Sequence, residues 1–195
     1  MRGQAHTLEA VVAGLLMLAS LVFALQMTAV TPLSASTSSQ HIENQQQATG
    51  SGVLAAAAET GALKPAVLYW NNSTQRYHGT NSNLGYYTNG PPNNTFGDML
   101  NRSFDQRGIA YNVYFTFQNS GGESITQRYV YSGVPSDNAV SASHTVTLVN
   151  DDHLYNANET RNGTTLQDPN ITYPVPDTGQ NIFNTVRVEV VAWRI

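Results

Sequence analysis

The sequence AVVAGLLMLASLVFAL, residues 10–25, contains no charged side chain and a single hydroxyl, that of Ser20. Extended to residues 8–30, the apolar segment has the length of roughly 20 residues that a helix needs to cross a bilayer. Its apolar side chains recur all round a helix, so its whole surface must be covered by lipid or by copies of the same helix. This segment decides the architecture, because the rest of the chain must fold beside a helix of that kind.

Three interpretations fit the apolar segment. A secretory signal peptide needs a basic start and a small-residue cleavage site directly after the core. Here Arg2 is the only basic residue before the core, and the small pair Ala35-Ser36 lies well beyond it. A plain single-span anchor needs only the length, and Arg2 then places the start of the chain in the cytoplasm and the remainder outside. The third interpretation depends on the residues in front of the core.

The residues Arg2-Gly3-Gln4 precede the apolar segment, and Thr7-Leu8-Glu9 begin it. This arrangement resembles the class III signal of archaeal type IV pilins and archaeal flagellins, in which a basic residue and a glycine stand just before a cleavage site. The Arg-Gly-Gln form is similar to that of halophilic archaea. The resemblance implies cleavage by a prepilin peptidase between Gly3 and Gln4. Cleavage after Gln4 would instead make Glu9 the fifth mature residue, the usual pilin register.

Glu9 lies at the edge of the apolar segment, where a carboxylate is costly unless it has a partner or reaches water. The pilin resemblance implies that Glu9 pairs with the N-terminal amine of a neighbouring subunit or of its own. The alternative is a hydrated carboxylate at headgroup depth. Next to it, Ala10, Ala13 and Gly14 would let helices approach closely in a bundle or filament core, although small residues are common in any spanning helix.

The composition excludes several classes of function. Charged residues make up only 11% of the 195 residues, so the polar surface must consist mainly of Asn, Thr, Ser and Gln. No cluster of Lys and Arg is present, which argues against a nucleic-acid partner. The absence of cysteine excludes disulfides and thiolate metal sites.

We expect an α+β fold in three parts. Residues 1–3 are the remnant of a class III signal, residues 4–62 a long helix with its membrane-spanning or filament-core part at about 8–30, and residues 63–195 a β-rich antiparallel head with one short helix. Pro32 is expected to kink the long helix, Gly50 to interrupt it and Gly61 to end it. The alternative for the middle part is a disordered Ser- and Gln-rich stalk.

Alternating apolar and polar residues predict four strands in the head, at residues 109–118, 124–131, 139–149 and 184–195. In the last of them Val186, Val188 and Val190 should point inward. A short apolar run predicts a further strand at residues 66–70. A capping box of Thr95 and Asp98 predicts a helix over about 96–107. The polar segments 71–94 and 151–178 are predicted to be long loops, the first with one short hairpin.

The head is rich in Asn-x-Ser/Thr sequences, which are acceptors for N-linked glycans and fall mostly in predicted loops. An Asn- and Thr-rich chain also produces such sequences by chance. The candidates are Asn71, Asn93, Asn101, Asn158, Asn162 and Asn170, with Asn72 overlapping the first.

Other candidate chemistry is sparse. Asp151-Asp152-His153 is the one tight group of metal-ligand types, but a pair of Asp residues after a strand usually forms a turn, and we expect no metal and no cofactor. No catalytic motif is found, so an enzyme is not expected. The tyrosine-rich segments around Tyr69, Tyr77 and Tyr86-Tyr87 either contact a partner or a sugar, or cover the edge of the sheet or the helix.

These observations and the resemblance predict a structural subunit of an extracellular type IV pilus-like filament, which polymerises through its N-terminal helix. The chain would be inserted in the membrane before assembly and handled by prepilin peptidase and the pilus assembly machinery. The alternative is a single-span membrane-anchored adhesion protein or accessory minor pilin.

Overall fold

The computed structural model describes residues 2–179 and 182–194, with only the backbone described at 2–5 and 27–39. The fold is α+β, as predicted: a long apolar N-terminal helix and a domain of antiparallel strands with short helices. The chain divides into two compact units, with the boundary between Ile42 and Glu43. Residues 43–62, which the sequence assigns to the long helix, therefore belong to the same compact unit as the sheet.

The long helix α1 spans Arg2–Glu59 without a break at Gly50, so the predicted interruption there is wrong. The helix ends as predicted at Gly61, which has a φ of 72°. Around it the Ala62 amide donates to the Ala57 carbonyl at 2.8 Å and the Gly61 amide to the Ala58 carbonyl at 3.1 Å. These are the two hydrogen bonds of a glycine-terminated helix end.

Within the apolar run at residues 66–70, Ala66 and Val67 end a helix and only Trp70 lies in a strand, so the strand predicted there is wrong for most of its length. Helix α2 is Leu63–Val67, and Pro65 fits in its first turn because amides there have no helical partner. The hydroxyl of Tyr129 donates to the carbonyl of Ala66 at 3.0 Å, and that of Tyr173 to the carbonyl of Val67 at 2.8 Å. Side chains far along the chain thus satisfy the last carbonyls of α2, which the local sequence does not reveal.

Two short strands follow α2 and form the predicted hairpin: β1, Trp70–Asn71, and β2, Arg76–Tyr77. Helix α3 spans Thr95–Ser103 and is followed by a single 3₁₀ turn, Asp105–Arg107. Its N-cap is Asn94, whose side chain accepts a hydrogen bond from the Gly97 amide at 2.8 Å. The predicted Thr95–Asp98 capping box is therefore wrong.

The main sheet contains four antiparallel strands in the order β4-β3-β8-β5. The strands that follow α3 are β3, Ile109–Gln118; β4, Ser124–Tyr131; β5, Val140–Val149; β6, His153–Tyr155; β7, Arg161–Thr165; and β8, Ile182–Arg194. Strands β6 and β7 form a separate hairpin inside the segment predicted to be a loop. Placing the last strand between β3 and β5 ties down the C-terminal part of the chain.

One face of the sheet forms the core. Val186, Val188 and Val190 of β8 are buried, as predicted from their alternation. Leu54 and Ala57 of α1 are buried in the same hydrophobic cluster. At Gly50 of α1, an added Cβ would lie 3.1 Å from the Cβ of Ala142 in β5, so glycine permits a close approach of helix and strand.

Candidate functional site

The apolar part of α1 is the most unusual surface of the chain. His6–Gln26 is long and apolar enough to cross a membrane, and none of its hydropathic window is buried. A signal sequence near an N-terminus would pass the same test of length and composition. Its exposed large side chains are Leu8, Val11, Val12, Leu15, Leu16, Met17, Leu18, Leu21, Val22, Phe23 and Leu25. Covering each such side chain contributes about 1.5–3 kcal/mol, so this surface strongly favours lipid or a protein partner over water.

The predicted assembly residues lie on this surface. Ala10, Ala13 and Gly14 are exposed, and an added Cβ at Gly14 would meet no atom within 4 Å. The carboxylate of Glu9 lies 3.7 Å from Nδ1 of His6, one helical turn before it, and both side chains are 81% exposed. The predicted processing residues Gly3 and Gln4 fall within the backbone of α1, but their side chains lie outside the described part of the chain.

The glycan-acceptor asparagines occupy different settings. Asn93, Asn158 and Asn170 are exposed, whereas Asn71, Asn101 and Asn162 are half-buried. Three of the six have a turn geometry in which their own side-chain oxygen accepts a hydrogen bond from the amide two residues later: Asn71, Asn158 and Asn162. Asn101 lies within α3, inside the helix predicted over about 96–107, whereas the other five lie outside the α-helices.

The overlapping acceptor Asn72 has a structural role. Its side-chain oxygen accepts a hydrogen bond from the Thr172 amide at 2.7 Å, and its side-chain nitrogen donates to the Asn170 carbonyl at 3.2 Å. These bonds join two loops about a hundred residues apart in sequence. A glycan on Asn72 would be attached to the side-chain nitrogen that donates to the Asn170 carbonyl, so Asn71 is the better acceptor of the pair.

The Asp151-Asp152-His153 group forms a turn with an ion pair. The Asp152 carboxylate lies 2.6 Å from Nζ of Lys64, the only lysine of the chain, and also accepts a hydrogen bond from the Val149 amide at 2.8 Å. His153 Nδ1 lies 2.9 Å from the carbonyl oxygen of Asn162. Within residues 2–179 and 182–194, no group of three or more His, Asp or Glu side chains is placed to hold a metal ion.

The tyrosines that the sequence offered as partner contacts belong largely to the core. Tyr69, Tyr77 and Tyr87 are buried, and burial raises the pKa of the Tyr77 phenol well above its ordinary value. The backbone of Tyr87 lies along β4: its amide donates to the Tyr129 carbonyl at 2.9 Å, and its carbonyl accepts from the Tyr131 amide at 2.8 Å. It therefore covers part of the sheet edge, the second of the two alternatives.

A cleft of about 440 Å³ opens beside these tyrosines. Residues 78–81, residues 87–91 and Asn93 form most of its wall, and Tyr69 and Ala157 complete the lining. The Tyr69 hydroxyl lies 2.7 Å from the Ala157 carbonyl and 3.0 Å from the Asn93 carbonyl, so one buried side chain connects the two sides. The sequence marked 71–94 as a long loop of the kind that often carries function, but it gave no sign that Ala157 would lie opposite.

One protein family matches the chain along nearly its whole length. A family model matches residues 2–192, described as "Family of unknown function (DUF7288)". The chain belongs to this family. The DUF7288 match therefore includes both the apolar helix and the sheet. No curated protein and no solved structure matches the chain.

Proposed function

We propose that this DUF7288 protein is a structural subunit of an extracellular type IV pilus-like filament, inserted in the membrane first and polymerised through its N-terminal helix. The observation that carries the proposal is the fully exposed apolar surface of His6–Gln26. At 1.5 Å per residue, 21 residues extend about 30 Å, which matches the hydrocarbon core of a bilayer. The same surface can be covered by neighbouring copies in a filament.

The flanks of the helix support assembly over simple anchoring. Glu9 lies at the edge of the apolar surface, and its partner in the chain is an exposed histidine 3.7 Å away rather than a buried group. An exposed pair of this kind contributes little to stability, so the carboxylate remains available for a stronger partner. The pilin resemblance of Arg2-Gly3-Gln4 supplies that partner as the amine exposed by cleavage.

The second unit supports the same proposal. The later part of α1 packs on an antiparallel sheet, so one helix serves the core of a folded domain and also presents an apolar segment. The head also exposes glycan acceptors at Asn93, Asn158 and Asn170, which fits a protein on the cell surface.

The proposal is tested by replacing Glu9 in cells that make surface filaments and examining them by electron microscopy. Glu9→Ala should greatly reduce the number of filaments, whereas Glu59→Ala, an exposed glutamate of the same helix outside the apolar part, should leave it unchanged. Mass spectrometry of the mature chain should show a new N-terminus at Gln4 or Ala5. An intact Met1, or a mature chain that begins after residue 30, would overturn the proposal.

The second candidate function is a single-span anchored adhesion or accessory protein. It is favoured by the same 21-residue apolar helix, which suffices as an anchor without any assembly. The two functions differ in stoichiometry. A filament subunit dominates a sheared surface fraction, a minor pilin is a trace component of it, and an anchored protein stays with the membrane.

A further inference from the structure

We propose that the cleft formed by residues 78–81, residues 87–91, Tyr69, Asn93 and Ala157 binds a neutral saccharide. Its volume of about 440 Å³ lies within the range of roughly 300–1,000 Å³ that holds small ligands. All of its lining residues belong to the second compact unit. The inference goes beyond the proposed function, because binding in the cleft does not require filament assembly.

The charge of the lining selects a neutral ligand. Among the residues that line the cleft there is no Lys, Arg, Asp or Glu, and the one histidine, His78, is engaged through Nε2 with the Tyr155 carbonyl, so the lining offers no free charge to an anion or a cation. The carboxylate of Glu159 lies near Tyr69 and contributes to raising the pKa of its phenol, after the larger effect of burial. Both of its oxygens accept hydrogen bonds from Thr95, one from the amide and one from the hydroxyl, each at 2.8 Å. That carboxylate is therefore already engaged outside the lining.

The hydrogen-bonding groups of the lining select a ligand rich in hydroxyls. The side chains of Thr88, Asn89 and Asn93 make no hydrogen bond within the part of the chain that the structure describes. Asn81 uses only its side-chain oxygen, which accepts from the Asn83 amide at 2.8 Å, and this leaves its two N–H donors available. Amide groups supply donors and acceptors together, as a sugar hydroxyl requires.

The floor of the cleft is held in place by hydrogen bonds to both of its sides. The Tyr87 hydroxyl donates to the His78 carbonyl at 2.5 Å, and the Tyr69 hydroxyl reaches the carbonyls of Asn93 and Ala157. His78 in turn lies 3.0 Å, through Nε2, from the Tyr155 carbonyl and packs edge-on against Tyr69 at 4.9 Å. With the aromatic hydroxyls already satisfied, the two tyrosines fix the shape of the cleft, and the amide side chains of its lining supply the hydrogen bonds to a ligand. A fixed cleft of this kind loses little entropy when a ligand binds.

The saccharide has two possible sources, because Asn93 is both a lining residue and a glycan acceptor. The first sugars of a glycan on Asn93 would lie at the cleft. A saccharide from another surface would enter from solvent. Both sources share the same chemistry, and the experiment separates them.

The test uses the full chain produced in a host without N-glycosylation and held in a zwitterionic detergent that has no sugar headgroup. D-Glucose, D-galactose, D-mannose and N-acetyl-D-glucosamine are added singly, and binding is measured by saturation-transfer NMR. At least one should bind with a Kd of about 0.1–10 mM, and glucuronate should bind more weakly because the lining has no cation. The double variant Thr88→Val/Asn89→Ala should weaken binding about tenfold or more, since each lost hydrogen bond weakens it roughly fivefold.

The matched control is Asn138→Ala/Thr145→Val, which makes the same two changes at exposed positions outside the cleft lining. It should bind like the unmodified chain, and both double variants should keep the same melting temperature. If no saccharide binds, if both double variants weaken binding equally, or if a neutral Ser- and Thr-rich peptide binds and no saccharide does, the proposal is overturned.

The source is determined by comparing the chain from its glycosylating host with the unglycosylated chain. If the attached glycan fills the cleft, added sugar binds only to the unglycosylated chain; if the ligand comes from outside, both bind. Added sugar that binds to neither form, with no NMR contact between the attached glycan and Thr88, contradicts the proposal. None of these results depends on filaments, so failure here is distinct from failure of the assembly proposal.

Discussion

Helix α1 contains two regions that differ in what covers their apolar side chains. In residues 6–26 every side chain is exposed, including eleven large apolar ones. In the later region, Val53, Leu54 and Ala57 are buried in the core of the second compact unit, which begins at Glu43 and is called the sheet domain below. Glu59 and other polar residues of this region are exposed. Helix α1 thus has one region that packs within the chain and one region whose large apolar side chains are exposed.

Because of this difference, each region is tested by a different kind of measurement. The sheet domain can be judged as a folded protein, by the burial and hydrogen bonds of its own side chains. In the apolar region the large side chains are exposed, so the proposal that lipid or neighbouring copies cover them is tested in a membrane or an assembly. The predictions below use changes that should affect one region and spare the other.

The largest expected effect is alkaline unfolding of the sheet domain alone. Burial raises the pKa of six tyrosines there: Tyr69, Tyr77, Tyr87, Tyr111, Tyr129 and Tyr173. The folded state holds these phenol protons more tightly than the unfolded chain does. Their contribution to stability is therefore complete below the unfolded pKa of about 10 and is lost as the pH rises above it, by up to about 1.4 kcal/mol per tyrosine and pH unit.

This prediction is checked by following phenolate absorbance and near-UV circular dichroism together in detergent. The buried tyrosines should ionise in one cooperative step that coincides with loss of the near-UV signal. Residues 6–26 contain no tyrosine, so their helical signal should persist through that step. A gradual ionisation of all tyrosines with the domain still folded would contradict the account of the core.

The second effect comes from a change in the apolar region, which should reduce assembly and leave the stability of the sheet domain unchanged. Leu16→Asp places a carboxylate at the middle of His6–Gln26, where it costs about 3 kcal/mol in a membrane or a dry helix bundle. The amount of filament should fall about a hundredfold, as judged by electron microscopy, while the melting of the domain is unchanged. Leu84→Asp, at a half-exposed leucine of the sheet domain, serves as the control and should assemble normally.

The third effect tests how tightly the sheet domain is packed. A Cβ at Gly97 in α3 would lie 1.8 Å from the carbonyl oxygen of Pro92, a distance that no relaxation of side chains can accommodate. Gly97→Ala should destabilise the domain by about 3 kcal/mol and lower its melting temperature by roughly 10 °C in thermal denaturation. Gly52→Ala in α1 meets no atom within 4 Å and should raise stability slightly, by about 1 kcal/mol or less. Equal melting of the two variants would show that the packing at Gly97 is looser than described.

The smallest effect concerns the ion pair between Lys64 and Asp152. The pair is partly exposed, so Lys64→Met should cost only about 1 kcal/mol in chemical denaturation. In a double-mutant cycle with Asp152→Asn, the coupling energy should be favourable and also about 1 kcal/mol. Filament assembly should not change. Additive effects of the two substitutions would mean that the pair contributes nothing.

Much of the fold could be predicted from the sequence where a pattern is local. The alternation in 109–118 and 124–131 gives β3 and β4 with the observed bounds, and the apolar run of residues 10–25 gives a helix long and apolar enough to cross a membrane. Local patterns failed where a distant residue decides. Residues 66–70 are an ambiguous apolar run, in which Ala66 and Val67 end helix α2 and only Trp70 lies in a strand. The carbonyls of Ala66 and Val67 accept hydrogen bonds from the hydroxyls of two tyrosines far along the chain, Tyr129 and Tyr173.

The N-terminus of α3 and the cleft beside Tyr69 show the same limit. Thr95 looked like a helix cap, but Glu159, far along the chain, accepts from both its amide and its hydroxyl, and Asn94 caps instead. The cleft combines a loop near residue 90 with Ala157, and such a meeting follows from tertiary packing alone. The proposed assembly role of the residues around Glu9 rests on the sequence and its resemblance to pilins alone.

The most direct measurement uses the fact that the chain has no cysteine. Cells that make only the Leu16→Cys variant are sheared, and the released surface fraction is treated with a maleimide before and after dissolution in denaturing detergent. The control is Val134→Cys, at a side chain that is 82% exposed in the sheet domain. The account predicts that the chain dominates the sheared filaments, that Cys at position 134 reacts at once, and that Cys at position 16 reacts only after dissolution. A chain that stays with the membrane, or a thiol at position 16 that reacts readily in intact filaments, would contradict assembly through the N-terminal helix.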